Sequence, residues 1–380
     1  MISHHQISRE AEDLADPTAP VSEGILLSSS VDEVLIVDPM TGDEVGDIAA
    51  STIADAETAL KRFHEYEQTG RWTAMSPSER TDLMERLVGI FEEHGDSLAE
   101  LATLESGTPI KFSKQIHVAD PLAIMRDHAA RRMHTQGDKP IAIIGYHQPL
   151  MFIVRAIMAT LEHGRPCIIV ASPLAPLTSI AFMNCILEAD LPKGVVHMLL
   201  GTPDVIDSLA RSAGDRIVNT APGGTDSGST PMVIERSSPS ESDTLTVCRN
   251  TVLGYSTVPG QRPGVPHLFV DAEEFERYET AMAQVVQSLV VGDPWDIATD
   301  VGPLIRAEEG QLLSNYVAEI EDLGATVIQG MQSQDADHFP VPTFIHGLTD
   351  SRAAMNNTLC APIAAVFTYD GATTASGTFD

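Results

Sequence analysis

The sequence predicts an α/β protein with two domains, the first of which contains a doubly wound parallel sheet. The chain has 380 residues and 43% of them are hydrophobic, enough to bury two cores. Apolar strand-like runs alternate with segments of helical spacing, in the order strand 141–145, helix 150–161, strand 166–170, helix 177–187 and strand 195–201. Continuous apolar strands joined through helices are typical of a parallel sheet covered on both faces.

Changes in composition divide the chain into three parts. Residues 1–30 are polar, acidic and aperiodic, which predicts a disordered tail. A Ser-rich stretch at 236–243 indicates a connection between domains. We therefore assign residues 31–240 to a Rossmann-like domain and residues 241–380 to a second α/β domain.

Ahead of the parallel sheet, local signals predict a hairpin and three helices. The runs 34–37 and 45–50 are joined by turn residues around Pro39 and Gly42. Apolar residues at helical spacing then predict a first helix over residues 52–64. Ser76, Pro77 and Glu79 form the start of a second helix, with a third from Ser97 to Gly107.

The second domain also combines predicted helices with predicted strands. Its predicted helices are 245–253, 274–290 and 310–323, and its predicted strands are 267–270, 326–328, 342–345 and 363–367.

Charge and cysteine content exclude several classes of function. The formal net charge of −31 argues against nucleic acid and anionic membrane as partners, because both require clustered Lys and Arg. The four cysteines are widely spaced and the N-terminus has no apolar signal segment, so we expect a cytoplasmic protein. We predict no metal site, because adjacent His4 and His5 in a tail are solvated rather than convergent.

No phosphate-binding motif occurs in the sequence. The glycine- and serine-rich segment 223–229 is followed by a strand-like run, 231–234, and not by a helix. A phosphate loop needs its glycines between a strand and a helix N-terminus. We interpret this segment as a surface loop.

Several collinear segments resemble the aldehyde dehydrogenase superfamily. They include Asp38 to Gly42, Trp72 to Arg80, Leu98 to Gly107, Pro176 to Thr178, Asp190 to Val196, Gly260-Gln261, Val291 to Asp296, Thr299 to Ile305, Pro342-Thr343 and Ala361 to Ile363. Their order is the family order and they span residues 34 to 369. The resemblance implies that the two α/β domains are a cofactor-type and a catalytic-type domain.

The same resemblance implies a reaction, the oxidation of an aldehyde to a carboxylic acid with NAD or NADP. In the family a cysteine thiolate attacks the carbonyl, an asparagine and a backbone N–H stabilise the oxyanion, and a glutamate activates water. Each role requires a particular group: a polarisable nucleophile, oriented donors and a general base.

The groups for the chemical step are missing from this chain. The cysteine follows a Gly-Gln pair by two residues, and here that position is Pro263, which has neither a nucleophile nor a backbone N–H. The glutamate position falls on Ala221, with Asp226 the only carboxylate close by. The asparagine position falls on or beside His147.

The positions that would hold the cofactor have changed as well. The lysine for the adenosine ribose is replaced by Val170, and the glutamate and phenylalanine for the nicotinamide ribose by Thr358 and Cys360. The cofactor-side turn and its helix are deleted around Asn219-Thr220. We therefore predict no catalytic residues, no assigned cofactor-binding residues and no tightly bound cofactor, with NAD or NADP expected only if the family function is retained.

Three functional hypotheses follow. The first is a homologue without catalysis, a pseudoenzyme with an interaction or regulatory role. The second is an active NAD(P)-dependent oxidoreductase that uses another nucleophile; Cys248 is a candidate, although a buried cysteine is usually a small hydrophobic residue. The third is a non-redox enzyme that uses His147 or Cys360.

Two departures from the family pattern bear on assembly. The segment 110–140 is shorter than in the family and lacks the strands of the oligomerisation arm, and Asp380 ends the chain before the family's sheet is complete. An incomplete sheet exposes an edge, and exposed edges recruit other chains. We expect a protein partner or a second copy to cover that edge, unless the chain is a truncated product.

Overall fold

The protein is described by a computed structural model that covers residues 7–30, 32–131, 150–213, 232–235, 240–256, 267–306, 308–331, 339–348 and 362–369. The chain divides into two compact units. Unit 1 comprises residues 1–106 and 110–227, and unit 2 comprises residues 107–109 and 228–380.

Unit 1 contains helices and five strands among its described residues. In chain order its elements are α1 (Arg9–Leu14), α2 (Thr18–Ser22), β1 (Leu26–Leu27), β2 (Glu33–Val37), β3 (Glu44–Ala49), α3 (Ile53–Thr69), α4 (Arg71–Ala74), α5 (Pro77–Glu93), α6 (Gly95–Ser106), α7 (Ile110–Ser113), a π-helical segment (Lys114–Ala119), α8 (Asp120–Ala130), α9 (Leu150–Glu162), β4 (Cys167–Ala171), α10 (Leu177–Glu188), β5 (Val196–Leu200) and α11 (Pro203–Ala213).

The core of unit 1 is a parallel sheet in the order β1-β5-β4. Every residue of β4 and β5 is buried, as their uninterrupted apolar sequences predict. Helices α3 and α11 cover one face through a cluster that includes Phe63, Val170 and Leu209. The predicted alternation of strand and helix is confirmed from Leu150 onward; the predicted strand 141–145 lies outside the described residues.

A local capping signal places the start of α5 correctly. The backbone N–H of Glu79 donates to Ser76 Oγ at 3.3 Å, and that of Ser76 donates to the Glu79 carboxylate at 2.8 Å. This reciprocal pair forms a capping box, so α5 begins at Pro77. The predicted hairpin is also present, because β2 and β3 pair antiparallel.

The N-terminal segment corrects the prediction of a disordered tail. Residues 8–27 contain α1, α2 and β1, and β1 pairs in parallel with β5. The side-chain amide of Asn184 donates to the carbonyls of Leu14 and Asp16 at 2.8 and 2.9 Å, and Ala11 is fully buried. These contacts come from residues distant in sequence, which composition cannot reveal.

Unit 2 is built around a mixed sheet. Its described elements are β6 (Met232–Glu235), α12 (Glu241–Ser256), β7 (His267–Asp271), α13 (Phe275–Ser288), α14 (Glu308–Asp322), β8 (Thr326–Gln329), β9 (Thr343–His346) and β10 (Ile363–Tyr369). The strand order is β6-β7-β10-β9-β8, and only the β8–β9 pair is antiparallel.

The sheet of unit 2 corrects one further expectation, the domain boundary. We assigned 31–240 to the first domain, but β6 pairs in parallel with β7 and so belongs to unit 2. The Ser-rich stretch therefore joins two elements of one unit. The last described strand, β10, is not an edge, because it pairs with β7 on one side and β9 on the other. Among the described strands, the edges of this sheet are β6 and β8.

Residues 107–109 interrupt unit 1 in the sequence but belong to unit 2 in the structure. Gly107 has φ of 71°, and a Cβ built on it would lie 2.8 Å from the ring of Pro303. A Cβ on Gly302 would lie only 2.0 Å from the carbonyl oxygen of Gly107. Both glycines are therefore required for this close backbone approach.

Candidate functional site

Most of the positions singled out in the sequence lie outside the described residues. These are His4, His5, His147, Asn219, Thr220, Ala221, Asp226, Pro263, Thr358 and Cys360. Val170 and Cys248 are among the described residues.

Val170 lies inside the hydrophobic core at the carboxyl end of β4. Its relative exposure is 2%, and it packs in the cluster that contains Ile206 and Leu209 of α11. Gly201, which follows β5, also lies close to Val170, because a Cβ built on Gly201 would be 2.0 Å from Val170 Cγ1. Val170 therefore packs the core and offers no donor to a ribose.

Next to Val170, the N-terminus of α10 is occupied by a carboxylate from within the chain. Glu105, at the end of α6, accepts hydrogen bonds from the backbone N–H groups of Leu177 at 2.6 Å and Thr178 at 3.0 Å, and from the Thr178 hydroxyl. These donors are the ones that a helix N-terminus offers to a bound anion. A phosphate therefore has no access to them while Glu105 is in place.

The Glu105 carboxyl is 2% exposed, and burial raises its pKa to about 7 against the opposing effect of its three hydrogen bonds. Sequence reasoning missed this residue. The available signal was an acidic residue in the otherwise apolar and small-residue run 98–106, close to the segment that joins the units. A carboxylate in such a run needs buried donors.

The described cysteines do not supply a replacement nucleophile. Cys167, Cys185 and Cys248 are all buried and unbridged. Burial raises the pKa of all three thiols, for Cys185 and Cys248 to about 12. Because the thiolate is the reactive form, these residues are inert near neutral pH. Cys248 therefore fits the packing role that its sequence context favours.

A buried histidine lies beside the first described turn of α9. The backbone N–H of Leu150 donates to His117 Nδ1 at 3.4 Å, and burial lowers the pKa of His117 to about 4. His117 lies in the π-helical segment Lys114–Ala119, a geometry frequent at functional sites. The neutral ring therefore accepts from the helix backbone and does not carry a charge.

The segment with the most specific resemblance, 291–305, acts as scaffold in unit 2. Asp300 is buried; one of its carboxylate oxygens accepts from the Val290 N–H at 3.1 Å, and the other from Arg249 Nη2 at 2.5 Å. The backbone N–H of Gly292 donates to the Val301 carbonyl at 3.0 Å. These contacts fix a turn between α13 and α14 and place no reactive group in a cavity.

The described part of the chain contains neither a metal-ligand cluster nor a membrane-spanning helix. No group of His, Cys, Asp or Glu side chains there is arranged to hold a metal ion. In the same residues, no helix combines the length and apolarity needed to cross a bilayer. The described residues therefore form a folded scaffold without an assembled nucleophile or metal centre.

Comparison with known proteins identifies the scaffold. The family model described as "Aldehyde dehydrogenase family" matches residues 26–237 and 240–376. The chain is 26% identical over 375 residues to DhaS of Bacillus subtilis, covering 87% of this chain and 74% of that protein. It is 23% identical to the mitochondrial succinate-semialdehyde dehydrogenase of Arabidopsis thaliana, covering 88% of this chain and 70% of that protein.

Two solved structures illustrate the match in fold. The aldehyde dehydrogenase KauB from Pseudomonas aeruginosa superposes with a TM-score of 0.77 at 21% identity, covering 91% of this chain and 78% of that one. A cysteine-to-alanine mutant of the P. syringae indole-3-acetaldehyde dehydrogenase AldA, in complex with NAD+ and IAA, gives 0.78 at 20% identity, with the same coverage.

Proposed function

This chain belongs to the aldehyde dehydrogenase family, and from that premise we propose that it is a catalytically inactive member with an interaction or regulatory role in the cytoplasm. The proposal rests on Pro263, which follows Gly260-Gln261 by two residues, the spacing at which the resemblance implies the family's cysteine nucleophile. Proline has no thiol, no ionisable group and no backbone N–H. Loss of a covalent nucleophile typically lowers the rate by orders of magnitude.

The absence of a replacement thiol in the described core supports the proposal. A substitute for the missing cysteine must present a thiolate in an accessible and electropositive environment. Cys248 is fully buried and its pKa is raised to about 12. It does not meet that requirement.

The surroundings of Val170 argue against tight dinucleotide binding. The family's lysine at this position donates to the adenosine ribose, whereas Val170 is buried against Gly201 and α11. Val170 therefore does not fit the role of the family's lysine in holding the cofactor. We propose that neither dinucleotide binds tightly.

An interaction role is supported by the edges of the sheet in unit 2. Among the described strands, β6 pairs only with β7 and β8 pairs only with β9. Both ends of β8, Thr326 and Gln329, are exposed. An open edge offers backbone donors and acceptors to another strand. We propose a protein partner or a second copy as the group that covers one of these edges.

The cofactor hypothesis is tested by titrating NADH and NADPH against tryptophan fluorescence, using Trp72 and Trp295 as reporters. An active member of the family serves as the positive control under the same conditions. We expect no saturable change in the micromolar range. Saturable micromolar binding of either dinucleotide would refute the loss of the cofactor site.

A second candidate function is an active NAD(P)-dependent oxidoreductase that converts aldehydes to carboxylic acids. Its specific support is the fold match to enzymes solved with NAD+, among them the AldA complex that covers 91% of this chain. A panel of aldehydes, assayed by formation of NADH or NADPH, separates the two functions. Turnover that is abolished by Cys360→Ser but not by Cys248→Ser would identify an unrecognised nucleophile and refute the inactive assignment.

The partner hypothesis has its own test, the oligomeric state of the purified chain by light scattering. We expect a self-associated species or a stable complex with another protein. A monodisperse monomer that stays dispersed at high concentration would count against an edge that requires cover.

A further inference from the structure

Strand β8 is an open edge of the sheet in unit 2. Of the described strands, it pairs only with β9, and its end residues Thr326 and Gln329 are exposed. Two large apolar side chains beside it are exposed as well, Leu323 by 56% and Met331 by 66%. Proteins usually protect such edges with lysine, proline, a bulge or a covering element, because an open edge is a template for pairing with another strand.

The sequence along this edge contains none of the protective residues. From 323 to 334, between Asp322 and Asp335, there is no charged residue and no proline. The register of β8 with β9 is regular, without a bulge. The one protective feature is the length of β8, which is four residues. The edge is therefore regular, uncharged and partly apolar, which favours the addition of another strand.

The hydrogen bonds beside the end of β8 show which of its backbone groups face outward. The backbone N–H of Gly330 donates to the Pro342 carbonyl at 2.8 Å. Thr343, which is opposite Gln329, donates its N–H away from β8, to the Pro362 carbonyl at 2.8 Å. Gln329 and Thr343 are therefore a non-hydrogen-bonded pair, so the backbone groups of Gln329 point to the open side.

The orientation of the backbone makes the open edge complementary to a second copy of itself. Backbone groups alternate along an antiparallel pair, so those of Val327 also point outward, and Ile328 lies between the two outward-facing residues. A second β8 that runs antiparallel offers the same groups. If Val327 of each copy is opposite Gln329 of the other, both pairs form hydrogen bonds, and the two Ile328 residues meet at a two-fold axis.

Both faces of β8 leave an apolar side chain half-buried. Val327 packs against the core cluster that includes Ile320 of α14. Ile328, on the other face, lines a groove of about 600 Å³ beside α13, with Ala283 and Gln287 among the lining residues. In the symmetric pair the two Ile328 side chains are directly opposite, at the close spacing of a non-hydrogen-bonded pair. Strand pairing therefore removes apolar surface from water on both faces.

The distribution of charge favours a second copy as the occupant of this edge. The net charge is −31, so two copies repel over most of their surface and approach closely only where acidic side chains are absent. The run 323–334 is uncharged, and Glu279 is the one charged residue in the described lining of the adjacent groove. A basic partner is attracted to acidic surface, which this edge does not offer.

We propose that two copies of the chain associate by antiparallel pairing of β8 with β8, about a two-fold axis at Ile328. The pairing joins the two sheets of unit 2 into one continuous sheet. This inference rests on the interaction role proposed above, and it specifies the partner and the edge. Because β8 is four residues long, we expect a weak dimer, with a Kd of about 10–100 µM.

The association is measured by sedimentation of the full chain from about 1 to about 300 µM. Gln329→Pro removes one outward N–H from each copy and no bond to β9, and should raise the Kd about tenfold or more. Gln329→Ala keeps that N–H and is the matched control, with a Kd within about twofold of the wild type. Urea unfolding verifies that both variants are folded.

The outcomes separate this inference from the broader interaction role. A dimer that is unaffected by folded Gln329→Pro would overturn the pairing of β8 and leave an interaction role through another surface. A chain that is monomeric at every concentration would overturn the pairing and count against that role as well.

Cysteine substitutions locate the two-fold axis. Ile328→Cys is opposite itself and should form an intermolecular disulfide with dissolved oxygen as the oxidant. Gln329→Cys, opposite Val327, should form no more than the unmodified chain does. Equal cross-linking of the two variants, or none by Ile328→Cys in a chain that dimerises, would overturn the register. Neither measurement uses turnover or cofactor binding, so the results are independent of the proposed loss of catalysis.

Discussion

Replacing Glu105 tests whether an internal carboxylate holds the start of α10. The side chain accepts two backbone N–H groups and one hydroxyl, all buried. In Glu105→Ala, the Leu177 and Thr178 N–H groups lose their partner, at about 1–3 kcal/mol for each unsatisfied buried donor. We therefore expect the free energy of unfolding of unit 1 to fall by about 3–5 kcal/mol.

The dependence of this effect on pH has a defined sign. The pKa of Glu105 is raised from 4.5 to about 7 in the folded chain, so the folded state binds more protons than the unfolded state between these values. The contribution of this carboxyl to stability is fully present below pH 4.5 and is lost as pH rises through 7, by up to about 3 kcal/mol. Glu105→Gln does not titrate and should lack this part of the pH dependence.

The measurement is urea unfolding followed by the fluorescence of Trp72 in a Trp295→Phe background, near pH 5 and near pH 8. Glu93→Gln, at an exposed position at the end of α5, is the control and should change stability by less than about 0.5 kcal/mol. A Glu105→Ala variant as stable as this control would refute the capping role. The same pH dependence in the wild-type chain and Glu105→Gln would refute the pKa assignment.

Three further outcomes follow from contacts described above. Gly201→Ala should cost about 1–3 kcal/mol in urea unfolding, because the added methyl meets Val170 Cγ1, and Val170→Ala should recover part of that loss in the double variant. Asp300→Asn should destabilise unit 2 by about 1–3 kcal/mol, measured by the shift of its unfolding midpoint, since it weakens the charged hydrogen bond from Arg249; an unchanged midpoint would contradict this. The thiol of Cys248 and the two other described thiols should react with a disulfide reagent only after unfolding, so native protein should show at most one reactive thiol of its four.

Local sequence patterns predicted the secondary-structure elements well, because the interactions that start and end these elements involve residues close together in the sequence. Examples are the capping box at Ser76 and Glu79 and the apolar runs of β4 and β5. Because these signals lie within the elements that they determine, the observed bounds lie close to the predicted ones. The assignment of the family followed from short collinear motifs. The fold class is confirmed by the structural relatives.

The errors arose where contacts are distant in sequence. The segment around Ala11 has a polar composition, yet Asn184, 168 residues beyond Asp16 in the sequence, binds its backbone. β6 was assigned to the wrong domain because the sequence of β6 does not indicate that this strand pairs with β7. Glu105 was missed because its donors lie 72 and 73 residues further along the chain.

The position of residues 107–109 affects how the protein folds and how its two units can be separated by cleavage. Gly107 packs against Gly302 and Pro303 across nearly 200 residues of sequence, and chain closure over such distances slows folding. A single cleavage between residues 227 and 228 leaves this piece of unit 2 attached to the other fragment. Unit 2 expressed from residue 228 onward therefore lacks part of its own backbone packing.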